Sequence, residues 1–243
     1  MMIIGLYTKK GEEMVKKNKF LGVIPARGGS KGVKRKNIRL LNGKPLIYYT
    51  IREALKSKLI DELVVSTEDK EIRRVAESYG VKVINRPNSL ATDNTLIIDV
   101  LKSIIKNYET KNTHFDIIVL LEPTHPFRSV EDIDSVIQIM KDNGLIDSVR
   151  SVTEPFQSPY KMWLKKDNGL LKSFLGKEGD RRQDLPEVFW QNGSIYAFKT
   201  SIIKKGSLTG KNIYPYIMKQ KDFIDIDTKE DLLLAQKVMG WKK

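Results

Sequence analysis

The chain has 243 residues, 40% of them hydrophobic, enough to bury one sizeable core with an appendage. No stretch approaches the ~18 uninterrupted apolar residues of a membrane helix, and Met1-Met2-Ile3-Ile4-Gly5-Leu6 is too short for a secretory core, so a cytoplasmic protein without a membrane is expected. Cysteine is absent, which excludes disulfides, thiolate zinc and cysteine nucleophiles, and the net charge of +13 invites a nucleic-acid partner.

Residues 1–18 are polar without a strong period and predict a poorly ordered N-terminal extension. Lys19–Pro25 is a short apolar run that predicts a buried strand. Asn42-Gly43 makes a turn, and Pro45–Lys56 follows as a helix with Ile47, Ile51, Ala54 and Leu55 on one face. Glu62–Thr67 predicts a strand and Asp69–Tyr79 a helix stopped by Gly80. Val81–Asn85 is a third strand. Thr92–Tyr108 predicts a helix with Thr92 or Asp93 as its N-cap. Phe115–Leu121 is a continuous apolar strand, Val130–Lys141 a helix ended by Asn143-Gly144, and Asp147–Val152 a strand. The alternation breaks at Thr153–Trp190, which is rich in proline, glycine and aromatics and reads as an inserted arm. Ser194–Phe198 predicts a strand and Thr228–Met239 a closing helix. Strands alternating with helices predict an α/β protein with a mostly parallel sheet covered on both faces.

The most informative stretch runs from Leu21 through Pro25-Ala26-Arg27-Gly28-Gly29-Ser30-Lys31-Gly32 to Lys36-Asn37. A strand ends in glycines that let backbone N–H groups approach a ligand, beside Arg27, Lys31 and Lys36, which can neutralise a triphosphate. Residues 1–39 hold eleven Lys/Arg and two acids, while the remainder is nearly balanced. Such a cluster suits a small polyphosphate at least as well as a duplex, and residues 22–39 hold no aromatic on which a base could stack. The Walker spacing and G-x-G-x-x-G are both missing. Gly28-Gly29-Ser30-Lys31-Gly32 fits the G-x-S-x-G of α/β-hydrolases, but no histidine lies beyond His125 to complete a triad. His114 and His125 stand eleven apart without metal-ligand spacing. Asp225 and Asp227 point the same way if extended. Two such charges call for a cation beside phosphates, Mg²⁺ by preference with Mn²⁺ an alternative; otherwise Asp227 caps the closing helix.

Ile24-Pro25-Ala26-Arg27, Gly29-Ser30-Lys31-Gly32 and Lys36-Asn37 closely resemble the opening motif of the acylneuraminate cytidylyltransferases, the CMP-sialic acid synthetases. The resemblance continues in order through nearly the whole chain. It takes in Asn42-Gly43-Lys44-Pro45-Leu46, Val64-Val65-Ser66-Thr67, Arg86-Pro87 with Leu90-Ala91-Thr92-Asp93, and Leu120-Leu121-Glu122-Pro123-Thr124-His125-Pro126-Phe127-Arg128. Arg182-Gln183-Asp184-Leu185-Pro186, Asn192-Gly193-Ser194-Ile195-Tyr196 and Ile224-Asp225-Ile226-Asp227 complete it. Each motif is weak alone; their shared order and spacing are specific.

The resemblance implies a Rossmann-like fold of the nucleotide-diphospho-sugar transferase type over residues 19–243, with 153–190 as a dimerisation arm. It implies transfer of CMP from CTP to the anomeric hydroxyl of a sialic-acid-like nonulosonic acid, in a homodimer. Ala26, Arg27, Ser30, Lys31, Lys36 and Asn37 would hold the nucleotide, with Arg86 and Ala91 facing the base. Arg27, Lys36 and Asp227 would be catalytic, Asp225 and Asp227 the metal ligands. Glu122, Thr124, Lys161, Arg182 and Gln183 would meet the sugar, the arm residues by reaching into the partner's site. Two departures stand out: Glu122 replaces the family's glutamine and His125 its serine. An ionised glutamate only accepts hydrogen bonds, which leaves the sugar and the base open. CMP-Kdo-like and GDP-legionaminate-like transferases are the neighbouring readings. A basic nucleic-acid-binding protein is the non-enzymatic one.

Overall fold

The computed structural model describes residues 18–30, 32–175, 181–219 and 224–241. Lys31 and all but the last residue of the expected N-terminal extension lie outside them, as does the side chain of Arg182. The chain opens with β1 (Phe20–Pro25), followed by a hairpin of β2 (Leu40–Leu41) and β3 (Lys44–Pro45). Asn42 and Gly43 both take positive φ there, 46° and 78°, as a two-residue hairpin loop requires. Then come α1 (Leu46–Lys56), β4 (Glu62–Thr67), α2 (Lys70–Ser78), β5 (Lys82–Asn85), α3 (Ile97–Glu109), β6 (Ile117–Leu121), α4 (Val130–Asp142) and β7 (Ser148–Thr153). The arm contains a small hairpin, β8 (Trp163–Lys165) with β9 (Leu171–Ser173). The chain returns through β10 (Trp190–Lys199), α5 (Thr200–Lys204), β11 (Ile213–Ile217) and α6 (Lys229–Trp241).

Seven strands form one sheet in the order β11-β7-β10-β6-β1-β4-β5. β10 runs antiparallel to both neighbours and the other pairings are parallel. The strand pattern explains why both faces are covered. In β1 and β6 every residue is buried. Ile24, Val119 and Leu121 point to one face with α1, α2 and α4, while Leu21, Val23, Ile118 and Leu120 point to the other with α3 and α5. A third cluster packs Ile226, Leu232 and Ala235 against Leu41, Leu46 and Tyr49, which ties α6 to α1 and the first hairpin.

Three sequence expectations change. The helix expected from Thr92 begins at Ile97, with Leu96 at its N-cap. The Thr92 hydroxyl lies 2.9 Å from that of Thr95, and the Asp93 carboxylate accepts from Arg27, an ionic partner that outcompetes a cap on bare N–H groups. The last strand of the core is Trp190–Lys199, longer than Ser194–Phe198, because it carries a bulge. Pairing with β7 shifts register between Gln191 and Tyr196, and Gly193 sits there at φ 79°. Side chains bridge the bulge: Asn192 Oδ1 accepts from the Ser151 hydroxyl at 2.6 Å and from Ser194 N, and Ser151 Oγ accepts from Ile195 N, while Asn192 Nδ2 is buried without a hydrogen-bond partner among the described residues. Finally, β11 and α5 occupy a stretch that the pattern left unassigned. β11 is an exposed edge strand interrupted by Pro215, so it shows no apolar run.

Candidate active site

The parallel strands end on one side of the sheet, where ligands of such folds collect. A cleft of about 490 Å³ opens there, lined by the Gly-rich loop after β1, by Arg86 after β5, by Leu90, Thr92, Asp93 and Thr95 before α3 and Ile97 at its start, by Glu122-Pro123-Thr124 after β6, and by Asp227. The loop is fastened from several directions. Asn37 is buried and its Nδ2 donates to the Arg27 carbonyl at 2.9 Å. Gly28 N donates to Glu68. Arg35, itself at φ 55°, makes a two-pronged bond with Asp69 at 2.9 Å and reaches Glu71. Asp69 also caps α2 by accepting from Glu71 N and Ile72 N. Gly32 lets the loop meet the acidic segment backbone to backbone: a Cβ there would lie 2.1 Å from the Asp227 carbonyl. Lys36 Nζ then lies 2.7 Å from Asp227 Oδ1.

Most of the expected nucleotide residues are therefore brought together. Arg27, Ser30, Lys36 and Asn37 line the cleft with Arg86 and Asp227. Ala26 is buried, and its N–H donates to the Ser66 carbonyl as a continuation of the sheet. Ala91 stands just outside the lining, between Leu90 and Thr92, which do form it. Arg86 is 6% exposed and donates to the Ser66 carbonyl at 3.1 Å. Burial pushes its guanidinium pKa down, opposed by Glu68 and Glu122.

The floor after β6 is electrostatically unusual. Arg128 is buried and bonds to the Ser194 carbonyl, to Thr50 Oγ1 at 2.7 Å and to the Glu122 carbonyl at 3.0 Å. Desolvation lowers it to about 10. Glu122 keeps some exposure to the cleft but is otherwise surrounded by protein, and that desolvation pushes its carboxyl up to about 7. Thr124 lines the cleft, and its carbonyl accepts from Ile226 N at 3.0 Å, so this turn carries the acidic segment. His125 is buried with Nδ1 3.1 Å from Thr124 Oγ1 and Nε2 3.8 Å from Asp225 Oδ1. Burial holds its imidazole down to about 3, hence neutral at pH 7.

Asp225 and Asp227 diverge in environment. Asp227 is exposed and pairs with Lys36, while Asp225 is partly withdrawn behind Thr124. Burial raises the Asp225 carboxyl, helped by the neighbouring charge of Asp227 and opposed by a hydrogen bond from Thr124. Asp225 Oδ1 is buried without a hydrogen-bond partner. An orphaned carboxylate oxygen beside a second carboxylate fits a hard divalent cation. Among the described residues no group of three His, Asp or Glu could hold one alone, so substrate and water oxygens would have to complete the shell. Helix capping falls to Thr228, whose hydroxyl accepts from Asp231 N while Asp231 accepts from Thr228 N.

Lys161 and Gln183 are exposed on the arm and do not line the cleft of their own chain. Sequence reading missed Asp93, Thr95 and Ile97 as lining residues; only the loop 92–96 in place of a helical turn brings them there. Arg128 was visible as the end of a motif, but its role at the floor depends on Thr50 and Ser194, far away in sequence.

A family model described as cytidylyltransferase matches residues 21–214. A CMP-N,N'-diacetyllegionaminic acid synthase of Legionella pneumophila is 37% identical over 227 residues, 91% of this chain and 96% of that protein. An N-acylneuraminate cytidylyltransferase of Streptococcus agalactiae is 33% identical over 215 residues, 87% of this chain, which spans only 51% of that protein. Among solved structures, a CMP:2-keto-3-deoxy-manno-octonic acid synthetase complexed with CTP has a TM-score of 0.72 over 93% of this chain and 100% of that one, at 18% identity, a likeness of fold.

Proposed function

The chain belongs to the cytidylyltransferase family, and from that premise we propose that it transfers CMP from CTP to the anomeric hydroxyl of a sialic-acid-like nonulosonic acid and releases pyrophosphate. The observation that carries this reading is one cleft in which Arg27, Lys36 and buried Arg86 converge with Asp227. The named relatives, a legionaminic and an N-acylneuraminic acid enzyme, support the sugar class.

Nucleotidyl transfer asks the protein to position groups and stabilise charge. The anomeric oxygen attacks the α-phosphorus, and the bond from that phosphorus to the bridging oxygen of the β-phosphate breaks. Arg27, Ser30, Lys31 and Lys36 hold the triphosphate and stabilise the charge that grows on departing pyrophosphate. Arg27 and Lys36 are paired with Asp93 and Asp227 inside the protein, so phosphates take over cations whose positions are already set. Arg86 and the backbone near Ala91 face the cytosine. Asp225 and Asp227 would hold Mg²⁺ or Mn²⁺, which when bound supplies further screening of phosphate charge.

The sugar's own carboxylate needs a cation, and the arm supplies it. Phe156, Trp163, Leu164 and Leu171 are each at least half exposed, and in this reading a second copy covers them in a homodimer. Lys161, Arg182 and Gln183 then reach the partner's cleft. Among the described residues no helix is long and apolar enough to cross a membrane; a cytoplasmic site, where CTP is made, goes with the proposal. A pyrophosphate-release assay across the four nucleoside triphosphates and a panel of eight- and nine-carbon keto-acid sugars tests it. Turnover with CTP and a nonulosonic acid is expected; turnover only with another nucleotide, or only with sugars lacking a carboxylate, overturns it.

A further inference from the structure

Three carboxylates line the cleft among the described residues: Asp93, Glu122 and Asp227. Two are committed to cations of the protein, Asp93 to Arg27 and Asp227 to Lys36. Glu122 differs. Its backbone carbonyl accepts from Arg128, but its carboxylate makes no hydrogen bond or ion pair with any described residue. Burial opposes its charge and Asp225 opposes it further, while Arg128, Arg86 and Lys36 act from a distance in its favour.

A carboxylate in that position carries a cost. It is desolvated, and it would repel the phosphates and the sugar acid that the proposed reaction brings in. An amide of the same shape has neither drawback. What a carboxylate does and an amide cannot is pair with a cation through charge-assisted hydrogen bonds. Among the described residues the cations nearest it do not bond to its carboxylate: Arg128 donates to Ser194, Thr50 and the Glu122 carbonyl, Arg86 donates to Ser66, and Lys36 pairs with Asp227.

We infer that Glu122 determines sugar specificity: it selects, among acidic sugars, those that carry a basic nitrogen substituent, an amine or amidine, whose cation pairs with the Glu122 carboxylate on the cleft floor. This rests on the proposed function and names the substrate class within it. A neutral acetamide offers one N–H and turns a carbonyl oxygen towards the carboxylate. Its amidine isostere offers N–H groups in place of that oxygen, together with a positive charge.

The test uses two nonulosonic acids that differ only in one substituent, acetamido against acetamidino, with the full chain, CTP and Mg²⁺. The wild-type protein is expected to favour the amidine in kcat/KM on the order of tenfold, as a hydrogen-bonded charge pair implies. Glu122→Gln should bring the ratio near one and Glu122→Asp should keep its direction. Circular dichroism checks that each variant is folded, and the wild-type ratio stands as a test even if one is not. Equal use of both sugars by the wild-type protein overturns the inference, as does a preference that survives Glu122→Gln. A Glu122→Gln variant changed only in its KM for CTP or its Mg²⁺ requirement overturns it as well, and assigns the carboxylate to the nucleotide. Pyrophosphate release from both sugars without preference sinks this inference alone. No release from either sugar with any of the four nucleotides sinks the proposed function instead.

Discussion

Strands β1 and β6 are buried along their whole length, whereas the arm between β7 and β10 turns Phe156, Trp163, Leu170 and Leu171 outward, each more than half exposed. Both regions are rich in large apolar side chains, yet they solve the burial problem differently. The core strands are covered by helices of their own chain on both faces, so their ends can be held firmly enough to present Arg27, Arg86 and Glu122 to one cleft. The arm's hairpin β8–β9 has two short strands, too few to form a core by themselves. It leaves the sheet at Thr153 and rejoins it at Trp190, directly paired with each other, and the adjacent bulge at Asn192-Gly193-Ser194 marks where the regular sheet resumes. The cleft is thus built on the covered region, while the arm leaves its large apolar side chains uncovered by its own chain.

The contrast is open to being broken. The largest effect belongs to the acidic pair. Asp225→Asn or Asp227→Asn should lower kcat by roughly 10²–10⁴-fold, as loss of charge stabilisation at a transferring phosphoryl group does. The melting temperature should hold, since Asp227 is exposed and burial already disfavours the charged form of Asp225. Near-normal turnover in both variants at saturating metal would remove the pair from the reaction.

The arm is probed by mixing. Lys36→Ala is defective in the cleft and Arg182→Ala in the arm, and each should be inactive alone. Allowed to exchange subunits at random, they should regain up to roughly a quarter of wild-type activity, because half the dimers are mixed and one of their two sites carries neither defect. Mixed dimers visible by native mass spectrometry without returning activity would show that the arm serves its own chain.

The smallest effect is a pH dependence in the covered region. Glu122 is raised from its ordinary value of 4.5 to about 7, so the folded state binds its proton more tightly than the unfolded state. That contribution is fully present below pH ~4.5 and is lost as pH rises through about 7. Glu122→Gln has no such loss. Its stability relative to wild type should grow between about pH 5 and 7.5, by on the order of 1–3 kcal/mol in urea melts. A constant difference across that range would mean that the cleft floor is wetter than its surroundings imply.

The amino-acid sequence by itself determined the alternation of strands and helices, the Gly-rich loop with its cations, and the paired acids before the last helix. Each is a local pattern of period, turn residue or charge, readable within a dozen positions. It also marked Asn192-Gly193-Ser194 as a motif, though not as a bulge. Only the tertiary structure decided the rest. Asp93 is a cleft residue and no N-cap because Arg27 lies opposite it, 66 positions away. β11 is a strand because β7 offers it an edge; its own sequence, with Pro215 in the middle, argues otherwise. Asp227 meets Lys36 across 191 positions because Gly32 has no side chain to keep the two segments apart. A residue's partners across the fold depend on strand order and close backbone approach, and neither leaves a period in the sequence.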